Sequence, residues 1–600
     1  MVIKGLLQCL YAAIICLAAF FQLQYASGVK DVLGEVIPQY LVWNIILLGG
    51  CYLLVSLPWK RVCTGGILFS VLVTLLGIAG HYTLALHGSI LTIEQIGNTR
   101  TALSVIGTYN LLSPKLLPGL LLQIAFLAGC ILLSVGEYYL CERHFLPNRR
   151  ERCVRIGVSF ACVFSAVFLF ANGDATPYLR TVRNSWEPTT TVQYHGYPMV
   201  LFSGTMEFEL LEPTGYSLDA LSQIAIPQVP QSKQEPADII LILNETFFDP
   251  SVVTDLETDK DYLSGISSLD GAILGNAVAK VGGGTNITEA ELLTGNPQTV
   301  VGSTPFNILN MEDTSSIVLL LKGQGYYTIA THCMSGINYH RSTGYTALGF
   351  DEIHFTEDYT ATEFYGERPW TTDESVYGNL IRWYETAASQ ESPIFAYCLT
   401  IQNHGDWDMN PPEYDRIHVQ NYSDPSMEGM LNEFLSCISL SDQAFVKLCD
   451  YFRGVDRNVI VCMLGDHSPS FVDNITTKSL GDRTQIAQAA VPLVIWANYE
   501  LDLTENLAER SVAAIAPLLV QLAGAQNNPY FQYILNISRS YPVITNWGEY
   551  TDALGQVHTL DAAADDAAEI WNYFYLAHNN LLPESMDEWF RIGSETEDLQ

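Results

Sequence analysis

The run Gly282-Gly283-Gly284-Thr285-Asn286-Ile287-Thr288-Glu289 sets one hydroxyl directly behind three glycines, at the start of a polar helical pattern. A glycine-rich approach lets backbone N–H groups and the positive end of a helix converge on an anion. Thr285 is therefore the candidate nucleophile. Glycines also simply close turns, so the loop acquires meaning only from its company. Asp238 to Glu245 (DIILILNE) is an apolar run of the buried-strand kind that stops abruptly at Asn244 and Glu245. Asn458 to His467 (NVIVCMLGDH) has the same grammar and delivers Gly465, Asp466 and His467. Open α/β sheets bind ligands outside the carboxyl ends of their strands, where these side chains would meet.

A carboxylate, a hydroxyl, an aspartate and an imidazole suit a divalent metal of the Mn, Zn or Mg type. Coordination would make the threonine oxygen nucleophilic, and a free threonine hydroxyl needs such help because it is essentially un-ionised at neutral pH. Read singly, Glu245 is a loop cap and Asp466-His467 an ordinary hydrogen-bonded turn. Their joint occurrence at strand ends and a helix start points to a site, with Glu245, Thr285, Asp466 and His467 as its metal-binding set.

Three blocks resemble the lipoteichoic acid synthases and related phosphoglycerol transferases of the alkaline phosphatase and sulfatase superfamily. Asn244-Glu245-Thr246-Phe247 is similar to that family's N-E-S-F block, whose glutamate holds the metal. Gly283 to Gly295 (GGTNITEAELLTG) resembles the block whose first threonine is the nucleophile, and this falls on Thr285. Gly465-Asp466-His467-Ser468-Pro469 resembles G-D-H-x-P, whose aspartate and histidine complete the metal site. Two more segments resemble substrate-binding positions. Asn403-His404-Gly405 is similar to a block whose histidine contacts the phosphate-bearing substrate, and His332, Tyr339 and Arg341 lie in a stretch like H-x(n)-W-N-R, where the arginine grips phosphate and the aromatic packs on glycerol. Tyr339 here replaces tryptophan and His340 replaces asparagine. A planar guanidinium fork suits phosphate.

The elements that must position these residues lie between about 238 and 545. Apolar strands at 238–243, 326–330, 393–401, 458–464 and 491–497 alternate with helical patterns at 313–323, 374–388, 427–453 and 505–524. Such alternation predicts an α/β sandwich. A connector, 173–237, precedes it, with strand-like fragments at Pro198–Ser203 and Met206–Leu211. A tail, 546–600, follows; its amphipathic segment near 563–582 carries Ile570, Tyr573, Phe574 and Ala577 on one face and is expected to pack on the catalytic domain.

Residues 1–172 read as a multi-pass membrane domain of five helices, at about 4–26, 39–57, 63–87, 117–140 and 154–172. Lys4, Lys60, Arg61, Arg143, Arg149, Arg150, Arg152 and Arg155 alternate so as to be cytoplasmic, which predicts a cytoplasmic N-terminus and an extracellular catalytic domain. The ionisable groups His81 and Glu137 lie near helix ends, which argues against an ion or proton pathway and for an anchor. Of 13 cysteines, eight lie at or before Cys162. The scattered five that follow argue against a disulfide framework, unlike the phosphoethanolamine transferases, which usually carry paired cysteines. A net charge of −35, concentrated after the membrane region, excludes nucleic acid as a partner.

The resemblance implies a bacterial cell-membrane enzyme, a metal-dependent phosphotransferase with Mn as the foremost cofactor. It would move glycerol phosphate from phosphatidylglycerol to a polyglycerolphosphate or glycan acceptor through a phospho-threonine. The alternatives are a phosphoethanolamine transferase, a sulfatase-type hydrolase, and a non-catalytic ectodomain that only binds polymer. Sulfatases generally use a modified cysteine or serine in C/S-x-P-x-R, whereas Asn286, Ile287 and Thr288 follow Thr285.

Overall fold

The computed structural model describes residues 2–28, 36, 38–59, 61–87, 91, 117–143, 156–157, 160, 192–193, 195–203, 212–231, 235–301, 305–308, 314–360, 362–366, 368–405, 407, 416–420, 422, 424–501, 507–560, 567–582 and 585–591. The chain divides into two compact units, Met1–Glu209 with Ile337–His340, and Leu210–Gly336 with Arg341–Gln600.

The first unit is built on apolar helices Val2–Ala26, Pro38–Ser56, Val62–His87 and Leu117–Glu137. Among the described residues three segments are long and apolar enough to cross a membrane, Gly5–Ala26, Val62–Tyr82 and Leu117–Glu142, and Tyr40–Ser56 is apolar but shorter. Polar side chains join the helices internally, as the low dielectric of such a bundle favours: Gln22 donates to Thr74 (2.8 Å), and Tyr11 pairs with Ser134 (2.6 Å). The fifth expected span, 154–172, lies almost wholly outside the described residues. So do most of the loop 88–116, Lys60, Arg149, Arg150, Arg152, Arg155 and Met206–Leu211. One expectation is corrected. Tyr197–Ser203 is helical, not extended. A short apolar run carries no period that separates strand from helix, and Pro198 sits in the first turn, where its missing N–H costs nothing.

The second unit is an α/β domain around an eight-stranded sheet. Its strands are β1 (Asp238–Asn244), β2 (Ile273–Val278), β3 (Tyr327–His332), β4 (Glu352–His354), β5 (Ile394–Leu399), β6 (Val459–Gly465), β7 (Ala490–Ala497) and β8 (Arg510–Ser511), in the order β4-β3-β5-β1-β6-β7-β2-β8. All neighbours pair in parallel except β7, which is antiparallel to both β6 and β2. Every residue of β1, β5 and β6 is buried, which explains why they read as continuous apolar runs with no alternation. Helices Asp373–Ala388 and Pro425–Arg453 pack on one another, on β5 and on β7, while Thr285–Thr294, Ile515–Leu522 and Pro529–Ser540 form a second packed group. Strand β2, half-exposed and containing Gly275, escapes the sequence reading for lack of an apolar run.

The tail helix Ala568–Asn580 buries Ile570, Tyr573, Phe574 and Ala577. The Tyr573 hydroxyl donates to the Gly295 carbonyl (2.6 Å), where helix Thr285–Thr294 ends, and Asn580 donates to Asn296 (3.1 Å). The tail thus fixes the far end of the helix that begins with Thr285.

β1 and β6 lie side by side with Asn244 opposite Gly465. The chain after β1 passes so close that a Cβ at residue 465 would collide with the Phe247 carbonyl oxygen. Only glycine fits there. Gly465→Ala is expected to lower the stability of the folded chain by about 1–3 kcal/mol, the usual scale of overpacking, seen as a reduced melting temperature of the purified protein.

Candidate active site

The β1–β6 register decides the site. Asp466 donates its N–H to the Asn244 carbonyl (3.1 Å), so the two strand ends continue together beyond the sheet. Thr246 then adopts a left-handed backbone (φ 45°), rare for a β-branched residue. The turn is over-determined by its bonds: the Thr246 N–H donates to Asp466 Oδ1 (2.7 Å), and its hydroxyl donates to Glu245 Oε1 (2.8 Å). Glu245, Asp466 and His467, all buried, therefore present ligand atoms within 4.8 Å of one another.

Thr285 arrives from the other side. Gly282, Gly283 and Gly284 all have positive φ (70°, 108° and 97°), a path closed to side chains, and Thr285 opens the helix Thr285–Thr294. The loop is tied to the segment that carries the ligands. Ser468 donates its N–H to the Lys280 carbonyl (3.0 Å), Gly282 donates to the Ser468 carbonyl (3.0 Å), and the Thr288 hydroxyl donates to the Asp466 carbonyl (2.7 Å). The Thr285 hydroxyl is close enough to the Asp466 carboxylate to favour its charged form.

The electrostatics fit a cation. His467 Nδ1 faces the Ser468 carbonyl at 2.9 Å, the donor geometry of an Nδ1–H. Nε2 then aims at Glu245 Oε1 (3.5 Å) and Asp466 Oδ2 (3.3 Å). Asp466 Oδ2 is buried with no hydrogen-bond partner among the described residues, an orphan of the kind a metal satisfies. Burial pushes the Asp466 carboxyl up, reinforced by the Glu245 charge. At Glu245 burial acts the same way, but the His467 hydrogen bond and the charges of His404 and His467 outweigh it and hold this carboxyl low. Burial opposes charge on His467, yet Asp466 and Glu245 raise its pKa to about 9. The imidazole thus retains a proton at neutral pH that a bound dication would replace. Two carboxylates and one imidazole form a suitable set for Mn, Zn or Mg.

The remaining sequence candidates divide. His332 ends β3, donates Nδ1–H to the Leu399 carbonyl (3.1 Å), and leaves Nε2 buried without a hydrogen-bond partner among the described residues. Burial first, then the Arg341 charge, pull its pKa down to about 3, so it is a neutral acceptor. His404 is half-buried after β5, its ring 4.6 Å from Trp370, and its charge acts on Glu245. Arg341 is fully buried, with Nε donating to Glu289 Oε2 at 2.8 Å in a pair exposed on neither side, and Tyr345 donates to the other Glu289 oxygen. Glu289 lies one turn after Thr285, so Arg341 braces the helix that carries the hydroxyl. Tyr339 belongs with Ile337–His340 to the first unit, in a short turn where Tyr339 and His340 both have positive φ (54° and 58°).

A buried polar network beneath the strand ends escaped the sequence reading. Asn244 donates to Asp373 Oδ2 (2.9 Å), Asn403 donates to Asn244 Oδ1 (3.0 Å), and Ser441 donates to Asp373 and to Asn403 Oδ1 (3.1 Å). Gln402 Oε1 accepts the Asp373 N–H (3.0 Å). It joins the neighbours of Glu245 and His404 in one bonded set. No motif announces Asp373, which in the sequence is only an acidic helix start.

Residues 237–525 match the sulfatase family model. That stretch is similar to the sulfatase family, and the match covers the sheet from β1 to β8. A Rhizobium meliloti (strain 1021) protein described as "Putative cyclic beta-1,2-glucan modification protein" is 25% identical over 424 residues, covering 67% of this chain and 64% of that protein. The chain thus spans less than two thirds of that relative's length. The Streptococcus pyogenes phosphoglycerol transferase GacH, solved with sn-glycerol-1-phosphate, is 19% identical, covers 62% of this chain and 95% of its own, and gives a TM-score of 0.49. The lipoteichoic acid synthase LtaP of Listeria monocytogenes is 16% identical, covers 60% and 95%, and gives a TM-score of 0.44.

Two outcomes are expected of this site. Titrating the metal-free full-length protein with Mn2+ near pH 7 should raise its melting temperature and release about one proton per metal, read by calorimetry in buffers of different ionisation enthalpy. Asp466→Asn should abolish both. The second concerns Asp373, fully buried, whose carboxyl burial pushes up to about 6 against hydrogen bonds from Ser441 and Asn244. A carboxyl raised above its unfolded value of about 3.9 contributes stability at low pH and loses it as pH rises through the folded pKa. Asp373→Asn should remove this slope, worth about 3 kcal/mol between pH 4 and 7, in denaturation curves compared with the parent.

Proposed function

We propose that this chain is a membrane-anchored phosphoglycerol transferase, N-terminus cytoplasmic and sulfatase domain extracellular, that moves glycerol phosphate from phosphatidylglycerol to a polyglycerolphosphate or glycan acceptor. The observation that carries the reading is the attachment of the Thr285 helix start to the strand end bearing Asp466 and His467, with Glu245 beside them. A glycine-led threonine at the head of a helix fits a covalent relay between two alcohols. The name of the Rhizobium relative favours a glycan among the acceptors.

Glu245, Asp466 and His467, with the Thr285 hydroxyl, would hold a divalent cation, Mn2+ foremost with Mg2+ or Zn2+ as alternatives, which would supply neutralising charge at the phosphoryl group and ease ionisation of the Thr285 hydroxyl. In the first half-reaction Thr285 Oγ attacks phosphorus, the Oγ–P bond forms and the P–O bond to diacylglycerol breaks, the hydroxyl proton ending on the released diacylglycerol. In the second, an acceptor hydroxyl attacks the phospho-threonine, the P–Oγ bond breaks, and the acceptor proton returns to Thr285. Asp466 and the Thr288–Asp466 bond hold the threonine in line, which is worth more than any single contact in phosphoryl transfer. His332 and His404 face the substrate side, the first as an acceptor for a glycerol hydroxyl. Arg341 acts through Glu289, fixing the helix.

Fluorescent phosphatidylglycerol in vesicles, with and without Mn2+, tests this. Diacylglycerol release should require the metal, and Thr285→Ala should lower it by at least about a thousandfold, the scale of losing a nucleophile. Equal release by the substituted protein defeats the assignment. Preferential release from phosphatidylethanolamine would instead establish the phosphoethanolamine transferase.

A further inference from the structure

Arg341, the cation that the sequence offers to the phosphate, has its Nε engaged by Glu289 in a pair with no solvent exposure. A second cation lies nearer the glycine loop. Lys280 follows β2 and is fixed at its backbone: its carbonyl accepts the Ser468 N–H, and the next residue, Val281, bridges to Ser468. The same short ladder therefore sets Lys280, Thr285 and the Asp466-His467 pair relative to one another. The side chain of Lys280 runs over Gly284. Its Nζ stands 2.8 Å, and its Cδ 3.0 Å, from where a Cβ on Gly284 would be.

Gly284 is the residue immediately before Thr285 and the N-cap of its helix, with φ 97°. Glycine here does two things: it takes the left-handed turn, and it leaves the volume that the lysine chain fills. The ammonium is half-buried and makes no hydrogen bond or ion pair among the described residues. Burial pulls its pKa below the ordinary lysine value, with the Glu291 charge pulling the other way. An ammonium held partly out of water, with neither a carboxylate within ion-pair distance nor full hydration, is poised for an anion. The anion position is given by the neighbouring helix start, whose positive dipole end lies at Thr285.

We propose that Lys280 is a substrate-binding residue of the transfer site, its ammonium contacting a non-bridging oxygen of the phosphodiester that Thr285 attacks. This rests on the phosphotransfer reading above. While the Oγ–P bond forms and the P–O bond to the leaving alcohol breaks, with the hydroxyl proton passing to that alcohol, Lys280 keeps its three protons. Its charge offsets the negative charge that the equatorial oxygens carry.

The test uses the Mn2+-loaded full-length protein and inorganic phosphate as probe, followed by calorimetry. Lys280→Gln should weaken phosphate binding about tenfold or more, as expected for one charge-assisted hydrogen bond. Lys280→Arg should retain most of it. Mn2+ affinity and melting temperature should match the parent in both variants. Absence of phosphate binding to the parent, equal affinity in the parent and Lys280→Gln, or an equal loss of Mn2+ affinity overturns the assignment. With phosphatidylglycerol the same substitution should raise KM and lower kcat, because the contact holds the bound phosphodiester and strengthens in the transition state. Weakened phosphate binding in Lys280→Gln without any lipid turnover by the parent keeps the anion contact and defeats the transferase reading instead.

Discussion

The parallel register of β1 against β6 is the constraint on which the rest depends. With Asn244 opposite Gly465, the first residues past the sheet on each strand are Glu245 and Asp466. Side chains alternate along a strand, so slipping the pairing by one residue would turn one carboxylate away from the other. The register is protected by burial: both strands are apolar throughout, and no slipped arrangement keeps Asp238 on Asn458, or leaves a glycine where the Phe247 carbonyl passes. Buried carboxylates side by side repel, and the fold holds them together with a left-handed threonine, an imidazole and backbone donors. That combination is expensive in stability and suits a set of side chains built to hold a cation.

Below the ligands, the Asn244–Asp373–Asn403–Ser441 network serves as a floor. Its members come from β1, from the loop after β5, and from helices Asp373–Ala388 and Pro425–Arg453. Each end is one residue from a site side chain, Glu245 on one side and His404 on the other. Buried polar networks of this kind rigidify the elements they join. Arg341 with Glu289 plays the same part for the helix of Thr285, and Tyr573 with Gly295 for its far end.

What the sequence made legible follows from what drives each feature. The central strands β1, β5 and β6 are buried on both faces and announce themselves as apolar runs. The polar residues that end them stand out for the same reason, so Glu245, Asp466 and His467 were readable. Thr285 was readable because three glycines in succession have few uses other than a positive-φ path. Strands β2, β4 and β8 were not readable: they are short or half-exposed, and their place comes from pairing, β2 with β7, β8 with β2 and β4 with β3, rather than from their own pattern. Asp373 and Lys280 carry no local signal at all. Their roles arise from contacts more than a hundred residues away, Asp373 with Asn244 and Lys280 with Ser468. Arg341 was legible as a residue, but its bond through Nε to Glu289 was not, since no local pattern links the two.

The chain's net charge of −35 bears on how such a site takes an anionic lipid. At physiological ionic strength exposed charges are screened beyond about 8 Å, so the acidic surface sets solubility and slows approach but has little hold on a head group already at the membrane. In the proposed reaction, anchoring to the bilayer would remove the need for long-range attraction, because a lipid donor would be supplied at high local concentration in two dimensions. What that reaction then needs is short-range and local: a cation on Glu245, Asp466 and His467, the positive end of the Thr285 helix, and the Lys280 ammonium over Gly284. Those charges are buried or half-buried, where screening is weakest and each is worth most.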